Sequence, residues 1–228
     1  KKLDQRDTIN VFMIGNTGTG KTDMAKMAIK ADVINMAISG KGVSGVGMTA
    51  ATSFDKSLSC WIVEPGAVPR CNKGSIVIDE IDKIDDKDTS SLNEGMVNLS
   101  FMITKANQQV TLQSDTNIIG CANPDGRKFD PNLEKYRQIT LKPDFLDRFD
   151  MWIAVEKNEN IEEQKKVIGK IIDRFDDSED KEEKIYDLEF IRYYFAWIIQ
   201  NFKPKINKKM REYLIEMISK LMYGGLNS

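Results

Sequence analysis

Residues 15–22 read Gly15-Asn16-Thr17-Gly18-Thr19-Gly20-Lys21-Thr22, which satisfies G-x-x-x-x-G-K-[ST] at every fixed position. The run before it, Ile9-Asn10-Val11-Phe12-Met13-Ile14, is β-prone, and Met24, Met27 and Ala28 after it continue at helical spacing. A strand, a glycine-rich turn and a helix in that order predict a phosphate-binding loop rather than a surface turn. The glycines let the backbone approach phosphate oxygens with no Cβ in the way, and successive N–H groups at the helix N-terminus face the polyanion. Gly15, Asn16, Thr17, Gly18, Thr19, Gly20, Lys21 and Thr22 are therefore the candidate nucleotide-binding residues. In this reading Lys21 neutralises the β- and γ-phosphates of ATP, and the Thr22 hydroxyl ligates Mg²⁺.

Outward from this loop, short apolar runs alternate with helical stretches as far as about residue 155. The other strand candidates are Val33 to Ile38, Ser75 to Ile78, Asn117 to Cys121 and Met151 to Val155. Such alternation predicts an α/β domain with a mostly parallel sheet covered on both faces. Ile76-Val77-Ile78-Asp79-Glu80 is an apolar strand ending in two acids, which places both at the carboxyl edge of the sheet, where ligands bind in open α/β folds. Two adjacent acids can take two roles. Asp79 would hold Mg²⁺ through water, and Glu80 would orient and deprotonate an attacking water. The acids that follow, Asp82, Asp85 and Asp86, read as solvated charges at a helix start.

The strand pattern ends near residue 157, and apolar residues fall on helical faces beyond it. These are Ile161, Val167, Ile168, Ile171, Ile172 and Phe175; then Leu188, Ile191, Phe195, Ile198, Ile199 and Phe202; then Met210, Leu214, Met217, Ile218 and Leu221. Asp176 to Asp180 read as a solvated acidic linker, Pro204 as a break, and Asn207 as the N-cap of the last helix. The expected organisation is an α/β core over residues 1–157 and a small helical lid over 158–228.

Composition narrows the chemistry. The 228 residues contain no histidine, which excludes a Ser-His-Asp triad, a Cys-His pair and His-ligated zinc. The three cysteines, Cys60, Cys71 and Cys121, lack C-x-x-C spacing and read as reduced thiols of an intracellular protein. Lys+Arg 33 against Asp+Glu 35 gives net −2, so any nucleic-acid contact must be local. No apolar run approaches the roughly 20 residues that a bilayer needs, and a membrane partner is not expected. With Lys at position 1 and no leader pattern, the chain reads as a piece of a longer one.

Several segments together resemble the minichromosome maintenance (MCM) family. Ser39-Gly40-Lys41-Gly42-Val43-Ser44-Gly45-Val46-Gly47-Met48-Thr49-Ala50 resembles its SGKG-SS-xGLTA segment, and Trp61 to Ala67 its W-x-x-E-x-G-A segment. Ile78-Asp79-Glu80-Ile81-Asp82-Lys83 is similar to the IDE-[FI]-DK box, Cys121-Ala122-Asn123-Pro124 to AANP, and Phe145 to Asp150 to LLSRFD. Order and spacing agree over about residues 8 to 222. The resemblance implies the AAA+ P-loop fold, with a five-stranded sheet flanked by helices and a helical lid. It further implies the motor of a replicative DNA helicase, acting in a hexameric ring of its own or related MCM subunits, at DNA in the nucleoid or nucleus. Asn123 then matches the sensor 1 residue, although an Asn before Pro124 is also a turn former. Arg148 matches the arginine finger, which acts in trans on the next subunit's ATP; pairing with Asp147 or Asp150 is the structural alternative.

Leu99 to Leu112 resembles the family's pre-sensor-1 hairpin, with two β-prone runs about a polar tip wider than a two-residue turn. Lys105 falls on the tip lysine that would grip DNA phosphates in the ring channel without reading sequence. The segment from Thr52 to Trp61, with Lys56, matches a second channel element, the helix-2 insert. Departures from the family pattern cluster on the trans-acting side: Asn98 or Leu99 in place of a Gln, Asn107 in place of a Gly, and altered turns at Val68 to Lys73 and Leu133 to Arg137. The lid resemblance stops near Met222, so the sensor 2 arginine and the N-terminal DNA-binding domain are expected outside these residues. Two other readings remain open at this level. One is a magnesium-chelatase-like AAA+ remodeller, and the other an MCM-like regulatory subunit that binds ATP without hydrolysing it.

Overall fold

The computed structural model describes residues 8–105, 108–157, 161–162, 164–165, 168–169, 187–202, 205 and 207–224. Nine strands are found among them. In chain order they are Val11–Gly15 (β1), Asn35–Ser39 (β2), Ala50–Asp55 (β3), Cys60–Pro65 (β4), Ser75–Asp79 (β5), Ser100–Lys105 (β6), Gln108–Gln113 (β7), Asn117–Ala122 (β8) and Met151–Val155 (β9). Five of them form one sheet in the order β2-β5-β8-β1-β9. Every pairing in it is parallel. The predicted α/β sheet is thus observed. Its strands begin later than expected at two places. Asn10 spends its side chain outside the ladder, and Val33-Ile34 remain in the connection, with the Ile34 carbonyl accepting from Ser75 N at 3.0 Å.

Period-two alternation gives the sheet two apolar faces. On one face Phe12, Ile14, Ile76, Ile78 and Ile118 pack with Leu92 and Met96 of helix Asp86–Asn98 and with Phe101, Phe145 and Phe149. On the other, Met13, Val77 and Cys121 pack on Ala25 and Ile29 of helix Lys21–Ile29. We number the helices of this unit α1 (Lys21–Ile29), α2 (Gly45–Met48), α3 (Ala67–Arg70), α4 (Asp86–Asn98) and α5 (Pro143–Leu146). Each large side chain buried this way is worth about 1.5–3 kcal/mol.

Two antiparallel ribbons stand apart from the sheet. β3 pairs with β4, a ribbon that strand periodicity does not predict. Its turn is held by Asp55 Oδ1, which accepts from Ser57 N at 2.7 Å and Leu58 N at 3.2 Å. β6 pairs with β7, the predicted hairpin, but the ladder runs to Lys105↔Gln108, so only two residues connect the strands. The connection is thus shorter than the sequence suggests. Main-chain ladder bonds do not require apolar side chains, and Gln108 and Gln109 continue the pairing. Ala106, Asn107 and the Lys105 side chain lie outside the described residues.

The chain divides into two compact units, residues 1–185 and 186–228. The second contains helices Leu188–Asn201 and Lys208–Gly224. Asn207 caps the latter, its Oδ1 accepting from Met210 N at 2.8 Å as expected. Val167, Ile171, Ile172, Phe175, the acidic run from Asp176 to Asp180, and Pro204 lie outside the described residues. No described helix is long and apolar enough to cross a membrane.

Candidate functional site

Chain order and sheet order differ in a way that builds a crevice. From β1 the chain crosses to β2 at one edge, returns through β5 and β8, and then places β9 on the far side of β1. The order therefore reverses beside β1, where open α/β sheets bind ligands outside their carboxyl ends. The carboxyl ends of β1, β8 and β5 carry Gly15, Asn123 and the Asp79-Glu80 pair respectively. Residues more than a hundred positions apart are brought together there.

Lys21 is the centre of the cluster. Its Nζ donates to Gly15 O at 2.7 Å, Asn16 O at 2.8 Å, Asn123 Oδ1 at 3.1 Å and Thr19 Oγ1 at 3.4 Å. Four acceptors share three ammonium hydrogens, and all four are neutral. The residue is 7% exposed, and among the described residues its ammonium pairs with no carboxylate. Burial pushes the Lys21 ammonium below the ordinary lysine value, with Cys121, Asp79 and Asp82 pulling the other way. A buried cation solvated only by neutral oxygens lacks an anion at bonding distance, and a phosphate oxygen would supply one.

The loop fits a polyphosphate in other respects. Gly18 and Gly20 have φ of +77° and +76°, and a Cβ built on either meets nothing within 4 Å, so bare backbone faces open space. Gly20 caps α1 without a side-chain bond, leaving the first-turn amides for a ligand. The Thr22 hydroxyl makes no hydrogen bond among the described residues. The crest of the loop is pinned from outside: Asn16 Oδ1 accepts from Phe129 N at 2.8 Å, and Thr17 N and Oγ1 each donate to Arg127 O at 3.3 Å.

Asp79 ends β5 as expected, and its Oδ1 accepts from Glu80 N at 3.0 Å. Glu80 itself is left-handed, with φ 50° and ψ 42°, a conformation that non-glycine residues adopt at a cost. Its Oε2 accepts from Ser39 Oγ at 3.3 Å, at the end of β2. Asp82 overturns its reading as a solvated charge. Its side chain is 2% exposed, one oxygen pairs with Lys83 Nζ at 2.8 Å, and Oδ1 is buried with no partner. The physical reason is the short 3₁₀ turn Ile81–Lys83, whose Ile81 is fully buried and draws its neighbour inward. Asp85 and Asp86 do sit at the N-cap and in the first turn of α4.

Arg148 does not join this cluster. Its Nε donates to Asn93 Oδ1 of α4 at 3.1 Å, and no described bond links it to Lys21, Asp79, Glu80 or Asn123. Lys105 ends β6, at the tip of the second ribbon. Sequence reasoning does not single out Ser39, Asp82 or Asn93 as site residues. Ser39 stands at the head of the SGKG segment, the one clue available; Asp82 and Asn93 are placed only by the fold.

The geometry is that of a P-loop nucleotide-binding α/β domain. The sequence model of the MCM P-loop domain matches residues 1–175, and the chain belongs to the MCM family. It is 31% identical over 216 residues to the zygotic DNA replication licensing factor mcm6 of Xenopus tropicalis, covering 95% of this chain and 26% of that protein. It is 28% identical over 221 residues to the DNA replication licensing factor MCM4 of Arabidopsis thaliana, covering 96% and 26%. The mcm4 licensing factor of Schizosaccharomyces pombe is 30% identical over 215 residues, covering 92% and 23%. The chain thus spans about a quarter of the length of the curated relatives it matches. Family membership decides against the magnesium-chelatase-like reading.

Proposed function

We propose that this chain is the ATP-hydrolysing motor segment of an MCM-type hexameric DNA helicase, moving on DNA during replication. The observation that carries the reading is the Lys21 ammonium, which joins the Gly15 and Asn16 carbonyls of the loop to Asn123 across the crevice. Lys21 exchanges these neutral acceptors for β- and γ-phosphate oxygens. The amides of Gly15 to Thr22 hold the remaining phosphate charge. Mg²⁺ bound with the nucleotide supplies positive charge to the phosphate oxygens. Its protein contacts would be the Thr22 hydroxyl and, through water, Asp79. A set of one hydroxyl and one carboxylate suits Mg²⁺, which takes most of its ligands from phosphate and water.

Glu80 holds the attacking water and takes its proton, and Asn123 orients that water against the γ-phosphate. Arg148 acts in trans, offsetting charge on the neighbouring subunit's γ-phosphate. The DNA contact is Lys105 on the β6–β7 ribbon. The partners are DNA and copies of this chain or related MCM subunits, and the place of action is at DNA, in the nucleus of a eukaryote. The complete set of Lys21, Thr22, Asp79, Glu80 and Asn123 does not favour a subunit that binds without hydrolysing.

The test is equilibrium binding of a fluorescent ATP analogue and steady-state turnover, both in the full-length protein. Removing a charge-assisted bond costs about 1.5–3 kcal/mol, so Lys21→Ala should weaken binding about 10- to 150-fold. Glu80→Gln should leave binding in place and lower turnover about 10²- to 10⁴-fold. Tight binding that survives Lys21→Ala would overturn the site.

A further inference from the structure

Among the described residues no carboxylate pairs with the Arg148 guanidinium. Among the described residues its guanidinium makes one bond, from Nε to the amide oxygen of Asn93 at 3.1 Å. The groups behind that bond are packed and hydrogen-bonded. Asn93 follows Leu92, which is fully buried, and precedes Gly95 and Met96, also in the core. The backbone of Arg148 is fixed at both ends, its N–H donating to Phe145 O at 3.1 Å and its carbonyl accepting from Asn10 Nδ2 at 3.0 Å. Asn10 is 2% exposed, and its Oδ1 accepts from Ile118 N at 3.0 Å in the central sheet. Phe145 and Phe149 flank Arg148 and pack edge to face at 5.5 Å between ring centres.

The choice of partner has a chemical consequence. A guanidinium has five N–H donors in a fixed fork. A carboxylate would take two of them and cancel the charge. An amide oxygen takes one and cancels nothing, so among the described residues the two Nη groups and the full positive charge are left for an anion from outside.

We propose that Asn93 is a positioning residue for Arg148, setting the aim of the guanidinium through Nε while preserving its charge and Nη edge for a neighbouring subunit's γ-phosphate. This rests on the reading of Arg148 as the residue that acts in trans. Asn93 touches neither nucleotide nor water itself. It acts through Arg148, and its loss should be felt in turnover rather than in nucleotide affinity.

The test uses the full-length protein assembled with its ring partners. Asn93→Ala should lower kcat about 10- to 100-fold, the scale expected for misplacing a catalytic group by about 1 Å, with KM for ATP within about twofold of wild type. Asn93→Asp is the discriminating variant because it is isosteric. It should hold Arg148 at least as firmly and keep the melting temperature, yet lower kcat comparably by cancelling the charge. A residue with only a structural role would lose nothing in Asn93→Asp. Wild-type kcat in Asn93→Asp, with Arg148→Ala inactive, would sink the inference while leaving the role of Arg148 intact. Wild-type kcat in Arg148→Ala would instead remove the trans reading on which the inference rests. Should Asn93→Ala not fold, Asn93→Asp decides alone.

Discussion

At the scale of single residues, the site is built from side chains whose surroundings change their chemistry. Cys121 lies on the sheet face away from α4, packed with Ala25 and Ile29. Burial first, and the charge of Asp79 second, push its thiol up to about 12. Burial also raises Cys71, while Cys60 is partly exposed on β4. Iodoacetamide at about pH 8.5, near the thiol's unperturbed value, should therefore modify Cys60 and spare Cys71 and Cys121, as read by peptide mass spectrometry. The same shift bears on stability. A thiol raised in the fold contributes stability that is full below about pH 8.5 and is lost as pH rises toward its folded value. Denaturant midpoints should fall across that alkaline window, and Cys121→Ser should flatten the fall. Extensive labelling of Cys121 in the folded protein would contradict the burial. Residue roles are unevenly legible in the sequence. Lys21 and Thr22 are fixed by a local motif. Asn93 meets Arg148 across a sequence separation of 55, so no local pattern could pair them, and Asp82 looks like any acid at a helix start until Ile81 is seen to be buried.

At the scale of elements, the two strands most plainly legible in the sequence are buried on both faces. Ile76-Val77-Ile78 and Val11 to Ile14 are continuous apolar runs stopped by Asp or Gly, and little else can accommodate such a run. The β3–β4 ribbon is different. Ala50 to Pro65 mixes Thr, Ser, Asp and Lys with Phe54 and Trp61, whose rings meet at 5.5 Å across the two strands. A ribbon stabilised by its own cross-strand pairs needs no apolar run, so periodicity misses it. The β6–β7 ribbon is placed by a glycine. A Cβ at Gly95 in α4 would overlap Cζ and Cε1 of the buried Phe101 on β6. Alanine would gain about 1 kcal/mol of helix propensity but would force the ring out of a packed core, at about 1–3 kcal/mol. Gly95→Ala should thus be net destabilising by about 1 kcal/mol in denaturant unfolding. A stabilised variant would show that Phe101 repacks freely.

At the scale of the molecule, the charge balance and the proposed task have to be reconciled. A net charge of −2 gives no general attraction to a polyanion. Under the proposed function, DNA must be held by few side chains, repeated around a ring, and each phosphate that they neutralise carries its own counterion release. Lys105→Ala should weaken DNA binding with little dependence on sequence. It should also lower the slope of log affinity against log salt by about one for each phosphate left without its lysine. Fluorescence anisotropy of labelled DNA at several salt concentrations measures both, and an unchanged slope would assign the DNA grip to other residues. The two-part organisation is compatible with this economy. The residues proposed to face the nucleotide all lie in the unit spanning residues 1–185, and Arg148 lies in the same unit without joining them.

Glu80 is one of the residues that a search for stability alone would discard. Its left-handed backbone, φ 50°, costs a side-chain-bearing residue about 1–2 kcal/mol, a sizeable part of the roughly 5–15 kcal/mol that separates most folded domains from unfolding. Glycine would relieve the cost and remove the carboxylate with it. If Glu80 does the chemistry proposed for it, stability and turnover pull in opposite directions at this one position. A glutamate there would then trade endurance for work.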